Sequence, residues 1–185
     1  KTWALLLEPL RHIGNKEFGA VIFRRTSPQI TNEGGLWDEA EKLYPLFRAK
    51  PKESPPMEWA FPSGAVITMT HMQLESNRLD WQGSQVPLFL WDELTHFTLR
   101  QFFYMFSRNR STCGVKPYIR ATCNPVPPDD KVGGWVHEFV GWYIDPNTGY
   151  AIAERSGVVR WFANINDDLR WASSREELTD KYPDS

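Results

Sequence analysis

The sequence predicts an α/β fold: a mainly parallel sheet flanked by helices, with added β-hairpins. Three observations predict it. Leu88-Phe89-Leu90-Trp91 is an unbroken apolar run, the pattern of a central strand covered on both faces. Phe18-Gly19-Ala20-Val21-Ile22-Phe23 is a second such run. Apolar residues at helical spacing lie between and beyond them: Leu36, Ala40 and Leu43, then Leu99, Phe102, Phe103 and Phe106. The 185 residues fit one domain, 1–185, with enough chain to bury a core.

Taken in order, Trp3-Ala4-Leu5-Leu6-Leu7 starts a helix that can run to about His12, with Pro9 set to kink or shorten it. The strand at Phe18–Phe23 ends in Arg24-Arg25-Thr26, and the helix over Leu36–Leu43 stops near Pro45. Lysines and prolines from Arg48 to Pro56 predict an exposed loop. Met57–Phe61 and Ala65–His71 read as a hairpin about Pro62-Ser63-Gly64, because Ala65, Ile67 and Met69 alternate with Val66, Thr68 and Thr70. A polar connection, Gln73 to Gln85, leads to the central strand. Thr98 and Gln101 form a capping box at the start of the aromatic helix, whose stripe is expected in the core. Lys116 to Pro125 holds a short strand ending in Thr122-Cys123-Asn124. Trp135 to Ile144 is apolar and of ambiguous type. Asp145–Gly149 is a turn, expected in a hairpin whose second arm reaches Val158–Phe162, and Ser173–Tyr182 reads as a closing helix.

Composition is that of an ordinary globular chain, 41% hydrophobic and 24% charged. A net charge of −2 requires any nucleic-acid contact to come from a local basic patch. Cys113 and Cys123 lack metal-ligand spacing, which argues against a zinc site or a disulfide scaffold and for a reducing compartment. No run approaches the ~18 apolar residues of a membrane span.

The chemistry concentrates where the central strand stops, at Asp92-Glu93. Ligands gather at the carboxyl ends of parallel strands. An acidic pair there has the form of a Walker B strand, in which the first acid holds Mg²⁺ and the second polarises water. The alternative is a strand followed by a solvated acidic turn. Lys1-Thr2, passing straight into an apolar helix, matches the last two residues of a phosphate-binding loop. Thr122 and Asn124 sit where an ATPase places its γ-phosphate sensor, although Asn-Pro also initiates turns.

Together these residues resemble the ATPase domain of the large subunit of tailed-phage terminases, a P-loop NTPase of the ASCE type. The resemblance runs in order through Lys1-Thr2, Val21–Thr26, Gly34-Gly35-Leu36-Trp37, Phe61–Ala65, Gln82–Gln85, Trp91–Leu94, Phe97-Thr98, Arg120–Pro125 and Trp142–Asp145. It implies that most of the Walker A loop lies upstream of Lys1 and a nuclease domain beyond Ser185, so hydrolysis by this stretch alone is not expected. It implies ATP and Mg²⁺ as cofactors. Lys1 would contact the β- and γ-phosphates, Thr2 and Asp92 would hold Mg²⁺, and Glu93 would be the catalytic base. Thr122 and Asn124 would couple the γ-phosphate to motion. The candidate arginine finger is Arg78, with Arg24 and Arg25 behind it, acting in cis or from a neighbouring subunit. Implied partners are double-stranded DNA, the portal protein, the small terminase subunit and further copies in a ring on the procapsid. The implied location is the host bacterial cytoplasm, with no membrane. The alternatives are another P-loop motor such as a helicase, or a non-catalytic α/β binding module. A metal-carboxylate nuclease would need more clustered acids. The basic residues are dispersed, so the DNA-contacting surface is not located.

Overall fold

The computed structural model describes residues 1–150, 152–155, 161–165, 168–172 and 175–181. The chain divides into two compact units, Lys1–Val136 and His137–Ser185.

The first unit is built on a six-stranded sheet of order β2-β3-β4-β1-β5-β6. Its parallel part is β4 (Val66–His71), β1 (Gly19–Arg24), β5 (Leu88–Asp92) and β6 (Tyr118–Thr122). β3 (Met57–Ala60) and β2 (Lys50–Lys52) add antiparallel strands at one side. Successive side chains of a strand point to opposite faces, and here both faces are covered. Ala20, Ile22, Leu88 and Leu90 pack in one cluster with Ile67 of β4 and with residues of α1 (Thr2–Leu7) and α3 (Leu36–Leu43). Phe23, Phe89 and Trp91 face the other way into an aromatic layer. Trp91 lies 4.6 Å from Phe23, 4.7 Å from Phe97 and 5.4 Å from Phe102, which belongs to α4 (Leu99–Phe106). All five residues of β5 are therefore buried, which is why the run shows no alternation.

Several elements differ from the sequence expectation. The first helix ends at Leu7 and passes into a tighter turn, Glu8–Arg11, with Pro9 in its first turn. A four-residue helix, α2 (Pro28–Thr31), precedes α3. The expected loop at 48–56 contains β2, which pairs Lys50 with Ala60 and Lys52 with Glu58. Short length, two lysines and a proline suit a sheet edge, and a pattern that polar does not announce a strand. The connection 73–85 holds a 3₁₀ turn at Glu75–Trp81. In α4 the buried face is Gln101, Phe102 and Met105, whereas Phe106 is 39% exposed. A buried glutamine displaces the predicted stripe because its amide serves backbone groups of another segment.

In the chain order, α5 (Gly134–Gly141) resolves the ambiguous stretch as helix. In the second unit, Gly149 N–H donates to the Asp145 carbonyl at 2.8 Å, and Ile152 N–H to the Tyr143 carbonyl at 2.8 Å, so the predicted turn forms. Of its expected second arm, residues 158–160 lie outside the described residues, and Trp161 and Phe162 belong to β7 (Trp161–Ile165), which pairs with β8 (Asp168–Ala172). Of the closing helix, α6 covers Arg175–Lys181, and Ser173 and Tyr182 lie outside the described residues.

Candidate functional site

Parallel register brings the chemistry to one edge. Phe23 of β1 pairs with Trp91, and Asp92 pairs with Thr122 of β6, so Arg24, Asp92 and Thr122 end together. The start of α1 joins them there. Asp92 is fully buried, and both its oxygens are engaged. Thr122 Oγ1 donates to Oδ1 at 2.8 Å. Oδ2 receives the Thr2 hydroxyl at 3.2 Å and lies 2.6 Å from Arg24 Nη2. A buried carboxylate demands such company, since an unpaired one costs several kcal/mol (about 3–5 when one partner of a pair is removed).

Glu93 takes the left-handed conformation, φ 60°, which turns the chain sharply at the strand end. That conformation is uncommon for a residue with a Cβ, and strain of this kind clusters at functional sites. The turn sends the Glu93 side chain outward over Asp92. Its Oε1 lies 3.2 Å from Lys1 Nζ, and its Oε2 accepts the Asn124 N–H at 3.3 Å. Lys1 Nζ also donates to Asn124 Oδ1 at 2.5 Å. The cluster thus has two tiers: a buried one of Asp92, Thr2, Thr122 and Arg24, and an accessible one of Glu93, Lys1 and Asn124. Between them the Cys123 thiol is pushed up from its ordinary pKa, by burial first and by the Glu93 carboxylate next, with Lys1 opposing. The six motif residues other than the arginine finger fall in two adjacent hydrogen-bonded groups, Thr2 and Thr122 on Asp92, and Lys1 with Asn124 on Glu93.

The three arginines part company. Arg24 pairs with Asp92 within the same chain. Arg25 Nη1 donates to Gln101 Oε1 at 2.8 Å and to the Met72 carbonyl at 3.1 Å. Arg78 is not brought to the cluster: it donates to Glu75, 2.6 Å from the carbonyl and 3.0 Å from Oε2, and its guanidinium lies 5.8 Å from the Tyr104 ring centre. Position in the chain could not distinguish them: Arg24 closes β1, Arg25 follows it and Arg78 lies in the Glu75–Trp81 turn, and the partner each meets comes from a fold that local pattern does not record. Sequence reasoning also missed the role of Gln101. Its capping-box spacing was visible, but its wholly buried amide also donates to the Met72 and Leu74 carbonyls, at 3.2 and 3.0 Å.

The oxygen donors at Asp92 and Thr2 suit a hard divalent cation. Among the described residues no three His, Cys, Asp or Glu side chains group as a metal site. A cation at Asp92 would therefore complete its shell with non-protein oxygens.

The sequence profile described as terminase large subunit, T4likevirus-type, N-terminal, matches residues 1–185. The chain belongs to that family. Among solved structures, this terminase domain is similar to the N-terminal domain of the DNA packaging ATPase from bacteriophage phi29, with a TM-score of 0.53 and 11% identity over 91% of this chain and 81% of that one. It is also similar to the large terminase of a thermophilic bacteriophage, with a TM-score of 0.51 and 14% identity over 67% of this chain. The terminase chain spans 30% of that protein's length. At such identities the likeness speaks for the fold, a six-stranded, mostly parallel sheet flanked by helices. No curated protein matches it by sequence.

Proposed function

We propose that residues 1–185 form the ATP-hydrolysing domain of a motor that drives double-stranded viral DNA into a procapsid. The observation that carries this reading is the convergence of Lys1 and Thr2 with Asp92, Glu93, Thr122 and Asn124 in a chain of the terminase family. Phosphoryl transfer needs charge neutralisation and a positioned water more than it needs covalent chemistry. The accessible tier supplies both. Lys1 neutralises the β- and γ-phosphates, and Glu93 orients the attacking water and takes its proton on a carboxylate oxygen. Phosphate arriving at Lys1 draws the ammonium from Glu93, so the base is released when substrate is present. Mg²⁺, held by Thr2 and Asp92, would offset the phosphate charge. Thr122, on Asp92, and Asn124, on Lys1 and Glu93, lie one in each tier and would register the state of the γ-phosphate.

Arg24, paired in cis with Asp92, fits a role in holding the metal carboxylate rather than that of a finger. Arg78 remains the candidate finger acting on a neighbouring subunit in a ring, with the portal protein and the small terminase subunit as further partners in the host bacterial cytoplasm. A helicase, or a binding module in which Asp92-Glu93 is only a strand-end turn, is the competing reading.

The test is DNA-stimulated ATP hydrolysis by the full-length protein and its Glu93→Gln variant. The expected result is loss of turnover by at least about 100-fold with ATP binding retained. Turnover unchanged by Glu93→Gln would remove the motor assignment.

A further inference from the structure

Two groups meet at Oδ2 of Asp92. It accepts the Thr2 hydroxyl at 3.2 Å, and Arg24 Nη2 lies 2.6 Å from it. The other oxygen, Oδ1, is taken by the Thr122 hydroxyl at 2.8 Å. Where Thr2 and Asp92 hold Mg²⁺ together, Oδ2 is the carboxylate oxygen that faces Thr2, so Arg24 stands at the atom the cation would use. A guanidinium and a divalent cation at one oxygen repel each other, more strongly where water is excluded. Asp92 is fully buried, and the Arg24 side chain is 17% exposed.

Arg24 is placed to leave that oxygen. Its backbone is fixed at the end of β1, where its carbonyl accepts the Met72 N–H at 3.1 Å, but its guanidinium hangs on a long flexible stem. Its Nε is buried and finds no acceptor among the described residues. The side-on grip of an arginine on a carboxylate uses Nε as well as Nη2, so that two-point hold is not made. Arg25 differs: the acceptors it meets, Gln101 Oε1 and the Met72 carbonyl, are neutral groups that no cation at Asp92 would claim.

Charge decides what displaces it. Asp92 and Glu93 are opposed by Arg24 and Lys1, two carboxylates against two cations, so the cluster has no net attraction for a bare divalent cation. With a nucleotide the charge of the cation is offset by phosphate, and the released guanidinium gains an anion to face. Without Arg24 the cluster keeps an excess of one negative charge, which draws a divalent cation unaided.

We propose that Arg24 is a positioning residue of the metal carboxylate: it holds Asp92 Oδ2 against a bare divalent cation and yields it to one that arrives with a nucleotide. The inference rests on the reading of Thr2 and Asp92 as the Mg²⁺ ligands of the motor. It makes metal binding conditional on nucleotide through one side chain at the end of β1.

The test is binding of Mn²⁺, a paramagnetic stand-in for Mg²⁺, to the full-length protein, followed by electron paramagnetic resonance with and without ADP. The quantity read is Mn²⁺ bound in excess over the Asp92→Asn variant at the same free Mn²⁺, so metal bound elsewhere drops out. In the unaltered protein this binding is expected to be at least ~10-fold tighter with ADP than without. Arg24→Gln, which keeps an N–H donor and loses the charge, is expected to tighten Mn²⁺ binding without ADP by at least ~10-fold. Arg24→Lys, which keeps the charge, is expected to leave it weak. A general loosening of the site would weaken metal binding in both variants rather than tighten it in one. Equal binding with and without ADP in the unaltered protein would overturn the proposal even if Arg24→Gln fails to fold, and so would Mn²⁺ binding that Arg24→Gln leaves unchanged or weakens. ATP hydrolysis by the full-length protein separates the two readings. Turnover with Mn²⁺ binding unmoved by Arg24→Gln sinks the role of Arg24 alone, whereas tightening by Arg24→Gln without turnover sinks the motor alone.

Discussion

At the scale of the residue, burial and pairing decide what each group can do. Asp92 is a buried anion whose positive partner is Arg24, 2.6 Å away. Removing one partner of such a pair leaves a charge stranded away from water. Arg24→Ala is therefore expected to lower stability by about 3–5 kcal/mol in urea denaturation. Asp92→Asn in the same chain should recover part of that loss, and additive losses would show that the pair is not coupled. Cys123 is expected to react slowly with a disulfide reagent at pH 8 in a Cys113→Ser background, more slowly than a cysteine in a short peptide. The sign follows from its raised pKa: less thiolate is present at a given pH, and the thiolate is the nucleophile. Reaction as fast as the peptide would refute the buried, Glu93-facing placement.

At the scale of the element, α4 is anchored by polar groups as much as by its aromatic rings. Thr98 caps the helix by accepting the Gln101 N–H at 3.1 Å, and its hydroxyl also bonds Glu75. Gln101 returns a bond to the Thr98 N–H and serves the Met72 and Leu74 carbonyls and Arg25. The network ties the ends of β1 and β4 to the helix that follows Glu93. Thr98→Ala is expected to cost about 1 kcal/mol, the usual loss of an N-cap. Gln101→Leu should cost more, about 2–4 kcal/mol, because it takes the acceptor from the Thr98 N–H and one partner each from Arg25 and the Met72 and Leu74 carbonyls. Equal losses in thermal unfolding would contradict the hub. A second tie is steric: a Cβ on Gly133 would meet the Thr95 carbonyl oxygen at 2.3 Å. Gly133→Ala is accordingly expected to destabilise the loop after β6 by about 1–3 kcal/mol.

At the scale of the whole molecule, the question is whether hydrolysis is completed within one chain. Arg78 is held by Glu75 and Tyr104, away from Lys1 and Glu93. If it serves a neighbour, Arg78→Ala and Glu93→Gln subunits, each inactive alone, should regain part of their turnover when mixed, since mixed rings contain one intact interface site. No recovery on mixing would assign Arg78 a structural role. The sequence by itself determined the parallel core, because a strand covered on both faces must be apolar throughout, as Leu88–Trp91 is. It also determined that Asp92, Glu93, Thr122 and Asn124 close their strands, since parallel strands end at a common edge. Only the tertiary structure decided which arginine meets Asp92, that Lys50–Lys52 is an edge strand, and that Gln101 replaces an apolar residue in the core. Those outcomes depend on contacts between segments far apart in the chain, where side-chain direction and packing override local pattern. No periodicity along a single stretch records them.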